Sequence, residues 1–488
     1  MQIDRAMRWL PFWTAFAVAL LLRLLSLDLA PLHHDEGVNA WFMGRLLGGI
    51  PFKYDPAHYH GPFLYYMLAP LQKVFGTSPT ALRMPVAFVS ALLVPLLVPL
   101  RRRLGLAGIT GAAWLIAVSP SLVYYGRDLI HETFLVFFTL ALLVSASLFL
   151  ETRREHWLLL ASACLASLFT IKETAALTVG TLVLALALAS RGEGEKNRLR
   201  RWGITPGGAL RAALVFGAVY ILFFSSFFAN RGGIADSFRA YLLWVGTGVK
   251  GAGHEKPWTY FLEALLRFET LALLGAVLGG ALAFRRRHVF GMICALWTAG
   301  QLAVYSVIPY KTPWLVLNIV LPAALTSGVF VQELARRPLP GWVCAALTGG
   351  LILALAVTAA RAIQVSFLRY DDDRLMIVYV PSHRDFKKLV AQVHEAAARA
   401  PAGDPASLKI FTKNLWPMPW YFRDFRKARL WDHVPSRPDG DILIFDPKQE
   451  RLLRSHVRQR YNRYEYFLRP RLPLVVYVAE RLWEDERR

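Results

Sequence analysis

Apolar runs of about twenty residues recur along most of this 488-residue chain. A run of that length can cross a bilayer as a helix, whereas a soluble amphipathic helix is interrupted by polar residues at every turn. Apolar residues make up 55% of the sequence, charged residues only 18%, and the mean hydropathy is +0.37. The sequence therefore predicts a polytopic α-helical membrane protein with about eleven transmembrane helices, and a large soluble helical protein is strongly disfavoured.

The predicted spans are separated by short polar segments. They lie at about 10–28, 82–100, 105–123, 131–150, 157–171, 174–190, 210–228, 258–284 and 289–308, followed by one that ends near 334 and one at 341–363. We predict a transmembrane domain over residues 1–365. It includes a first external loop at 29–81 with short helices, and a long loop precedes the span at 258. No cleavage site follows the first apolar run, so we expect an uncleaved span there.

The net charge of +22 comes largely from basic clusters between the apolar runs. These clusters are Arg101–Arg103, Arg153–Arg154, "KNRLRRW" from Lys196, Arg285–Arg287 and Arg336–Arg337. Basic loops stay on the cytoplasmic side, and every acidic or histidine-bearing loop then falls on the other side. We predict a multi-pass protein of the cell membrane with a cytoplasmic N-terminus and no nucleic-acid partner. The three cysteines show no metal-type spacing, so no disulfide framework or zinc site is expected.

Residues 366–488 have a different composition. "RLMIVYVP", "LKIFTK", "DILIFD" and "PLVVYVA" are typical of strands, while "HRDFKKLVAQVHEAAARA" and "PKQERLLRSHVRQR" have helical periodicity. Strands that alternate with helices favour a small α/β domain. The predicted topology places this C-terminal domain outside the cytoplasm.

Polar side chains gather in the predicted external loops. Asp35 and Glu36 follow the first span, with His33, His34, His58 and His60 in the same loop. If the fourth helix begins near Asp128, then Asp128, His131 and Glu132 share one face of its N-terminus, with Arg127 adjacent. The remaining candidates are Lys172, Glu173, His254, Glu255, Lys256 and Lys311.

A charged residue at the end of a span is usually an interfacial anchor, and snorkelling is the favoured explanation for Arg23 inside the first span. Anchoring does not explain why carboxylates, histidines and lysines concentrate on one side. Ionisable groups at membrane depth are costly and tend to mark function. We therefore interpret these loops as a candidate site.

Several loop motifs together resemble a known superfamily. They are "HHDEGVNAWFMGRLL", "HGPFLYYML", "YYGRDLIHETF", "IKETA", "HEKPWTYFLEALLRFE", "PYKTPWL" and "WPMPWYFRD". The acidic pair after the first span and the second acidic site before the fourth resemble the GT-C glycosyltransferases, which include protein O-mannosyltransferases and lipid A aminoarabinose transferases. The ordered set most resembles the flippase-activity-associated membrane proteins. The histidines around the first motif depart from the mannosyltransferases, so the resemblance does not extend to sugar specificity.

The resemblance implies transfer of a sugar from a polyprenyl-phosphate carrier to an extracytoplasmic hydroxyl, with inversion. Asp35 would be the general base, and Glu36 would orient Asp35 or the acceptor. Arg127, Lys172, Lys256 and Lys311 would bind the donor phosphate. His34, His60, Glu173 and His254 would line the donor or acceptor pocket. Asp128, His131 and Glu132 are a tentative set for Mg²⁺ or Mn²⁺.

The acceptor stays open at this stage: a glycan, a lipid or a protein would each fit. The competing function is a flippase for lipid-linked oligosaccharides, or an accessory subunit of one. A transporter is expected to carry polar groups near the bilayer midplane and inverted repeats, and few such groups and no repeat are visible. The transferase interpretation predicts that the carboxylates of Asp35 and Asp128 lie within roughly 10 Å of each other.

Overall fold

The computed structural model describes residues 2–57, 60–190, 203–250, 253–401 and 404–483. It divides into two compact units. The first comprises Met1–Leu27 and Arg45–Leu368, and the second comprises Asp28–Gly44 and Arg369–Arg488. The start of the predicted external loop is therefore grouped with the C-terminal residues, whereas the predicted domain boundary lies at 365. His58 and the basic segment at 196–202 lie outside the described residues.

The described part of the first unit consists of helices joined by turns and loops. Its longer α-helices are Gln2–Leu24, Phe63–Phe75, Pro79–Ala91, Arg101–Val118, His131–Thr152, Glu155–Ile171, Ala175–Ala189, Pro206–Phe224, Gly233–Lys250, Tyr260–Phe268, Thr270–Arg286, Val289–Val307, Leu317–Ala335 and Gly341–Ile363. Its shorter helices are Pro95–Leu100, Pro120–Tyr125, Pro313–Val316 and Gln364–Leu368.

Seven helical stretches of the described residues are long and apolar enough to cross a membrane. They are Met7–Leu24, Pro79–Val118, His131–Thr152, Pro206–Phe224, Val289–Val307, Pro313–Ala335 and Gly341–Leu368. The helices Glu155–Ile171 and Ala175–Ala189 are apolar but shorter. A polytopic helical membrane protein is thus confirmed, while the count of eleven spans stays a prediction.

Small residues let the helices of the first unit approach one another closely. A Cβ added to Gly108 would lie 2.8 Å from the carbonyl oxygen of Gly328, and one added to Gly279 would lie 2.0 Å from that of Thr326. Small residues at such contacts are the common solution for helix pairs in membranes. The helix Leu317–Ala335 is consequently surrounded by neighbours and largely buried.

Arg23 does not snorkel, contrary to the sequence prediction. Its side chain is fully buried, and its guanidinium donates to Ser90 Oγ at 2.8 Å and to the carbonyl oxygens of Ile116 and Ala117 at 2.8 and 3.0 Å. Partners inside the bundle satisfy the guanidinium, so it does not need to reach an interface.

Three of the basic clusters are joined at neighbouring helix ends. Arg103 pairs with Glu151 at 2.9 Å, and its carbonyl oxygen is 3.0 Å from His288 Nε2, next to the cluster at 285–287. Glu333 then bridges Arg286 and Arg336, at 3.8 and 3.1 Å. Clusters that are distant in sequence therefore share one region of the first unit.

The second unit contains a five-stranded sheet of order β2-β1-β3-β5-β4. The strands are β1 (Ser407–Phe411), β2 (Lys427–Trp431), β3 (Ile442–Phe445), β4 (Tyr461–Arg469) and β5 (Leu472–Ala479). β1 pairs in parallel with β2 and β3, whereas β5 pairs antiparallel with β3 and β4. The helix Asp385–Ala398 packs on one face through Phe386, Leu389 and Val393.

Most of the predicted elements of this domain are present. β1, β3, β5 and the helix Asp385–Ala398 match the predicted segments, and only Pro447–Gln449 and Glu450–Arg454 are helical in the second predicted helix. The strand predicted over 374–381 is wrong. Asp372 accepts hydrogen bonds from Arg369 and Arg374, and successive turns follow, so the buried Ile377 and Val378 lie in an irregular segment.

The helix His34–Leu47 packs against the C-terminal residues of the second unit. A Cβ on Gly37 would lie 2.7 Å from Pro417 Cβ, and one on Gly44 would lie 3.3 Å from the Trp420 ring. Ser382 Oγ donates to the Leu32 carbonyl oxygen at 2.7 Å. These contacts explain why residues 28–44 group with this unit.

Candidate active site

A buried ion pair lies in the first unit. Lys172 and Glu173 lie on the short turn between the helices Glu155–Ile171 and Ala175–Ala189. Lys172 Nζ donates to Glu132 Oε1, and the two residues are only 5% and 2% exposed. The ammonium also lies 5.7 Å from the centroid of the Trp314 ring, within cation–π range. Two of the predicted motifs therefore meet through opposite charges.

Glu173 is held by a second pair of polar contacts. Tyr54 Oη donates to Glu173 Oε1 at 2.6 Å, and His60 Nδ1 is 2.9 Å from Oε2. Burial alone would raise the pKa of Glu173, but the charge of His60 and the hydrogen bonds from His60 and Tyr54 outweigh it and lower the pKa. Burial and the neighbouring carboxylate raise the pKa of Tyr54, so its hydroxyl stays protonated as a donor.

Aromatic rings connect these groups to His131 and to a helix that the sequence did not predict. The imidazole of His60 stacks on Trp244 at 5.4 Å and meets the ring of His131 edge-on at 5.3 Å. Trp244 belongs to the helix Gly233–Lys250, which lies within the predicted long loop. His131 is 3% exposed, and its Nε2 has no hydrogen-bond partner among the described residues.

The motifs "HEKPW" and "PYKTPW" also come together. Glu255 and Tyr310 form an antiparallel bridge, and the amide N–H of Lys311 donates to the His254 carbonyl oxygen at 3.0 Å. The ring of Tyr310 lies 4.8 Å from His254 and 6.2 Å from Trp244, which links this pair of segments to His60.

The two lysines of these segments differ in their surroundings. Lys311 is 1% exposed, and its Nζ donates to the Ile308 carbonyl oxygen. Burial lowers its pKa. Lys256 is half-buried, and its side chain has no hydrogen-bond or ion-pair partner among the described residues.

Arg127 hydrogen-bonds to the backbone of the first helix, and its predicted role in donor binding stays a prediction. Its guanidinium donates to the carbonyl oxygens of Leu22, Arg23, Leu25 and Ser26, at distances of 2.6 to 3.2 Å. These carbonyls end the first helix, where no intrahelical donor reaches them. Burial lowers the pKa of Arg127 to about 10, so the residue stays cationic as a cap.

The tentative metal ligands are not assembled as predicted. The helix begins at His131, and Asp128 lies in the preceding turn, where Ile130 donates to its carbonyl oxygen at 2.8 Å. The helical spacing that would have placed Asp128, His131 and Glu132 on one face therefore does not apply. No group of three or more histidine, cysteine, aspartate or glutamate side chains in the described part of the chain could hold a metal ion.

The second unit holds the acidic pair. Asp35 and Glu36 lie in the first turn of the helix His34–Leu47. Glu36 is fully buried, and its Oε2 accepts a hydrogen bond from the His33 amide at 2.8 Å, as a residue that closes a helix N-terminus does. Asp35 is half-buried. Glu36 thus fixes the helix start, and Asp35 is the more accessible carboxylate.

Residues of the C-terminal domain surround Asp35 and its neighbours. Arg469 donates to His34 Nδ1 at 3.0 Å, and its charge acts on Asp35. The Trp416 ring lies 6.5 Å from that of His34 and 6.3 Å from that of Trp41. The motif "WPMPWYFRD", at 416–424, therefore lies beside the Asp–Glu motif. Asp128 belongs to the other unit, so its predicted distance from Asp35 stays a prediction.

Sequence reasoning missed two residues of these clusters. Trp244 lies on an unpredicted helix, and Arg469 lies in an unpredicted strand. The alternation of β4, "YNRYEYFLR", is the signal that could have revealed the strand. Nothing local indicates that Arg469 contacts His34, because 435 residues separate them.

The chain matches one family by sequence. The family model of dolichyl-phosphate-mannose-protein mannosyltransferases matches residues 59–221, which include Glu132, Lys172 and Glu173. No curated protein matches the chain.

Solved structures share the fold over nearly the whole chain. ArnT from Cupriavidus metallidurans bound to undecaprenyl phosphate is 15% identical, with a TM-score of 0.69, over 96% of this chain and 98% of ArnT. The apo state of the same protein, also 15% identical, gives a TM-score of 0.64 over 98% of this chain and 99% of ArnT. The arabinofuranosyltransferase AftD from Mycobacteria, 15% identical, gives 0.53 over 96% of this chain but only 40% of AftD.

These matches confirm the predicted resemblance and the predicted class of enzyme. The helical first unit and the small sheet domain agree with them. The chain is a multi-pass membrane protein with the fold of the GT-C glycosyltransferases, which use lipid-linked sugars.

Proposed function

We propose that this protein transfers a sugar from a polyprenyl-phosphate carrier to an extracytoplasmic hydroxyl, with inversion at the anomeric carbon. The observation that carries the proposal is the assembly of separate loop motifs into polar clusters that contain a half-buried carboxylate and several lysines. The carrier is supported by the undecaprenyl phosphate named with ArnT and by the dolichyl-phosphate mannose named in the matching family.

In the proposed reaction, Asp35 is the general base. Its carboxylate takes the proton of the acceptor hydroxyl while that oxygen attacks the anomeric carbon. The bond from the anomeric carbon to the phosphate oxygen breaks, and the polyprenyl phosphate leaves with the electron pair. Attack from the face opposite the leaving group inverts the anomeric centre. Glu36 positions Asp35, because its buried carboxylate closes the start of the helix that carries both residues.

The donor phosphate is the proposed ligand of Lys172, Lys256 and Lys311. Negative charge grows on the leaving oxygen, and cations already in place stabilise it most. Lys256 is the accessible cation of this set, whereas Lys172 is paired with Glu132. His60, Glu173 and His254 belong to the same connected cluster, and we propose that they line the donor pocket.

The proposed orientation has a cytoplasmic N-terminus and the C-terminal domain outside the cytoplasm of a cell membrane. The support is the sharing of one region by three basic clusters, because basic ends stay on the cytoplasmic side. The acceptor stays a glycan, a lipid or a protein. A divalent ion stays a prediction as well.

The direct test uses purified protein, a radiolabelled undecaprenyl-phosphate sugar and a panel of glycan, lipid and peptide acceptors. Asp35→Asn keeps the size of the side chain but removes the base, so we expect transfer to fall by about 10²–10⁴-fold. Asp432→Asn, an exposed carboxylate of the same unit, is the matched control and should transfer normally. The anomeric configuration of the product then tests inversion.

Two results would overturn this proposal. Equal transfer by Asp35→Asn and the wild type would remove Asp35 as the base. Labelled lipid that crosses a vesicle bilayer, without any sugar reaching an acceptor, would show a flippase instead.

A further inference from the structure

Two histidines directly precede Asp35, and the hydrogen bonds of each imidazole fix its tautomer. A guanidinium has only donors, so the 3.0 Å contact from Arg469 requires a lone pair on His34 Nδ1. A neutral imidazole with a lone pair on Nδ1 carries its proton on Nε2. His33 has the same form, because its Nδ1 accepts from the Asp35 amide at 3.2 Å and its Nε2 faces the Tyr379 carbonyl oxygen at 3.0 Å.

The two neutral histidines differ in how many of their ring nitrogens have a hydrogen-bond partner. Both ring nitrogens of His33 are occupied within the second unit. His34 Nε2–H has no hydrogen-bond partner among the described residues, and His34 is only partly buried. The motif thus presents one carboxylate acceptor, Asp35, next to one N–H donor, His34.

We propose that Arg469 is a positioning residue that fixes His34 as an Nε2–H donor to the oxygen of the acceptor hydroxyl. This inference rests on the proposed function, in which Asp35 takes the proton of that hydroxyl. An alcohol oxygen accepts from one group and donates to another, so a fixed donor beside a base orients it for attack. The C-terminal domain thereby contributes to acceptor recognition through a residue in its sheet.

The surroundings of Arg469 suit this role. The residue ends β4, and its guanidinium also lies 3.5 Å from the Trp416 carbonyl oxygen, while Trp416 packs against the position of Gly37. Burial lowers the pKa of His34 to about 4. The charge of Asp35 opposes this effect, and that of Arg469 adds to it. His34 is therefore neutral at ordinary pH, as the hydrogen bond requires.

The first test needs no turnover. Diethyl pyrocarbonate reacts with the unprotonated ring nitrogen of histidine, and mass spectrometry of peptides reports the extent at each site. In the wild type the lone pair of His34 is held by Arg469, so its reaction is slow relative to that of the exposed His156. In Arg469→Met we expect the relative rate at His34 to rise about tenfold, because a hydrogen bond to a charged group is lost.

Two further variants separate this role from a loss of folding. Arg469→Lys keeps a cationic donor and should restore most of the protection. Arg471→Met removes a neighbouring exposed arginine, paired with Asp373, and should leave His34 as in the wild type. Equal reaction rates at His34 in the wild type and Arg469→Met would overturn the proposal.

The kinetic test distinguishes this proposal from the proposed function. In Arg469→Met we expect a higher KM for the acceptor and an unchanged KM for the donor. If Asp35→Asn abolishes transfer but Arg469→Met leaves the acceptor KM unchanged, the transferase stands and the role of Arg469 fails.

Discussion

At the scale of single residues, several buried charged side chains of the first unit have specific polar partners. Arg23 donates hydrogen bonds to Ser90 and to backbone carbonyls, and Lys172 pairs with Glu132. Glu173 forms hydrogen bonds with His60 and Tyr54. Each pairing offsets a desolvation cost that an isolated charge could not bear. The sequence showed that these residues matter, because charges are rare there, but the partner of each one lies tens of residues away.

The pair of Lys172 and Glu132 leads to a prediction about stability. Lys172→Met leaves a buried carboxylate without its partner and should destabilise the protein by about 3–5 kcal/mol. Lys172→Met combined with Glu132→Leu removes both charges, so it should recover much of the loss. Thermal unfolding in detergent, followed by tryptophan fluorescence, measures both changes.

The control for that prediction is Arg211→Met, which breaks a partly exposed ion pair with Glu155. Exposed ion pairs contribute little to stability, so the thermal unfolding midpoint of Arg211→Met should stay near that of the wild type. If Lys172→Met were no less stable than Arg211→Met, the buried pair would contribute nothing measurable. If the double variant folded well but no longer transferred sugar, the charges of Lys172 and Glu132 would be needed for transfer and not for stability.

At the scale of elements, helices made of a continuous apolar run were easy to predict, whereas helices and strands that are apolar on one face only were not. Each predicted span contains at least one helix, whereas the helix Gly233–Lys250 was missed. Its apolar residues alternate with Asp236 and Arg239, and Phe238 and Leu242 are exposed, so no continuous run marks it. β4 was missed similarly, because four of its nine residues carry a charged or amide side chain.

Close contact between two elements sets the position of His60. The amide of Gly61 donates to the Ile171 carbonyl oxygen at 3.1 Å, and a Cβ at Gly61 would lie 2.1 Å from the carbonyl oxygen of Thr170. Gly61→Ala must therefore separate this loop from the helix that ends at Ile171. We expect a lower unfolding temperature and weaker binding of the lipid donor, measured by thermal shift and by donor titration.

Gly180→Ala is the matched control for Gly61→Ala. Nothing lies within 4 Å of a Cβ at Gly180, which is inside the helix Ala175–Ala189, so alanine there should be neutral or slightly stabilising. A normal unfolding temperature and normal donor binding in Gly61→Ala would show that the loop can shift without cost, contrary to the contact described.

At the scale of the whole molecule, the order of loop motifs indicated that distant loops would meet. Within the first unit they do, since His60, His131, Lys172, Trp244 and Tyr310 form a connected cluster. The division into units was not predictable. Residues 28–44 follow the first helix in sequence, yet their partners come from 369–488, and no local pattern encodes that choice.

The orientation of the chain gives the last prediction. Termini on opposite sides require an odd number of crossings, and the basic clusters decide which end stays inside. Cysteines introduced at Arg286 and at Asp432, in a Cys344→Ser background that removes the exposed native thiol, report the two sides. In intact cells a membrane-impermeant maleimide should label the cysteine at 432 only, and after permeabilisation it should label both. Labelling of both sites in intact cells would place the basic clusters and the C-terminal domain on one side and would contradict the odd number of crossings. Labelling at 286 alone would reverse the proposed acceptor compartment.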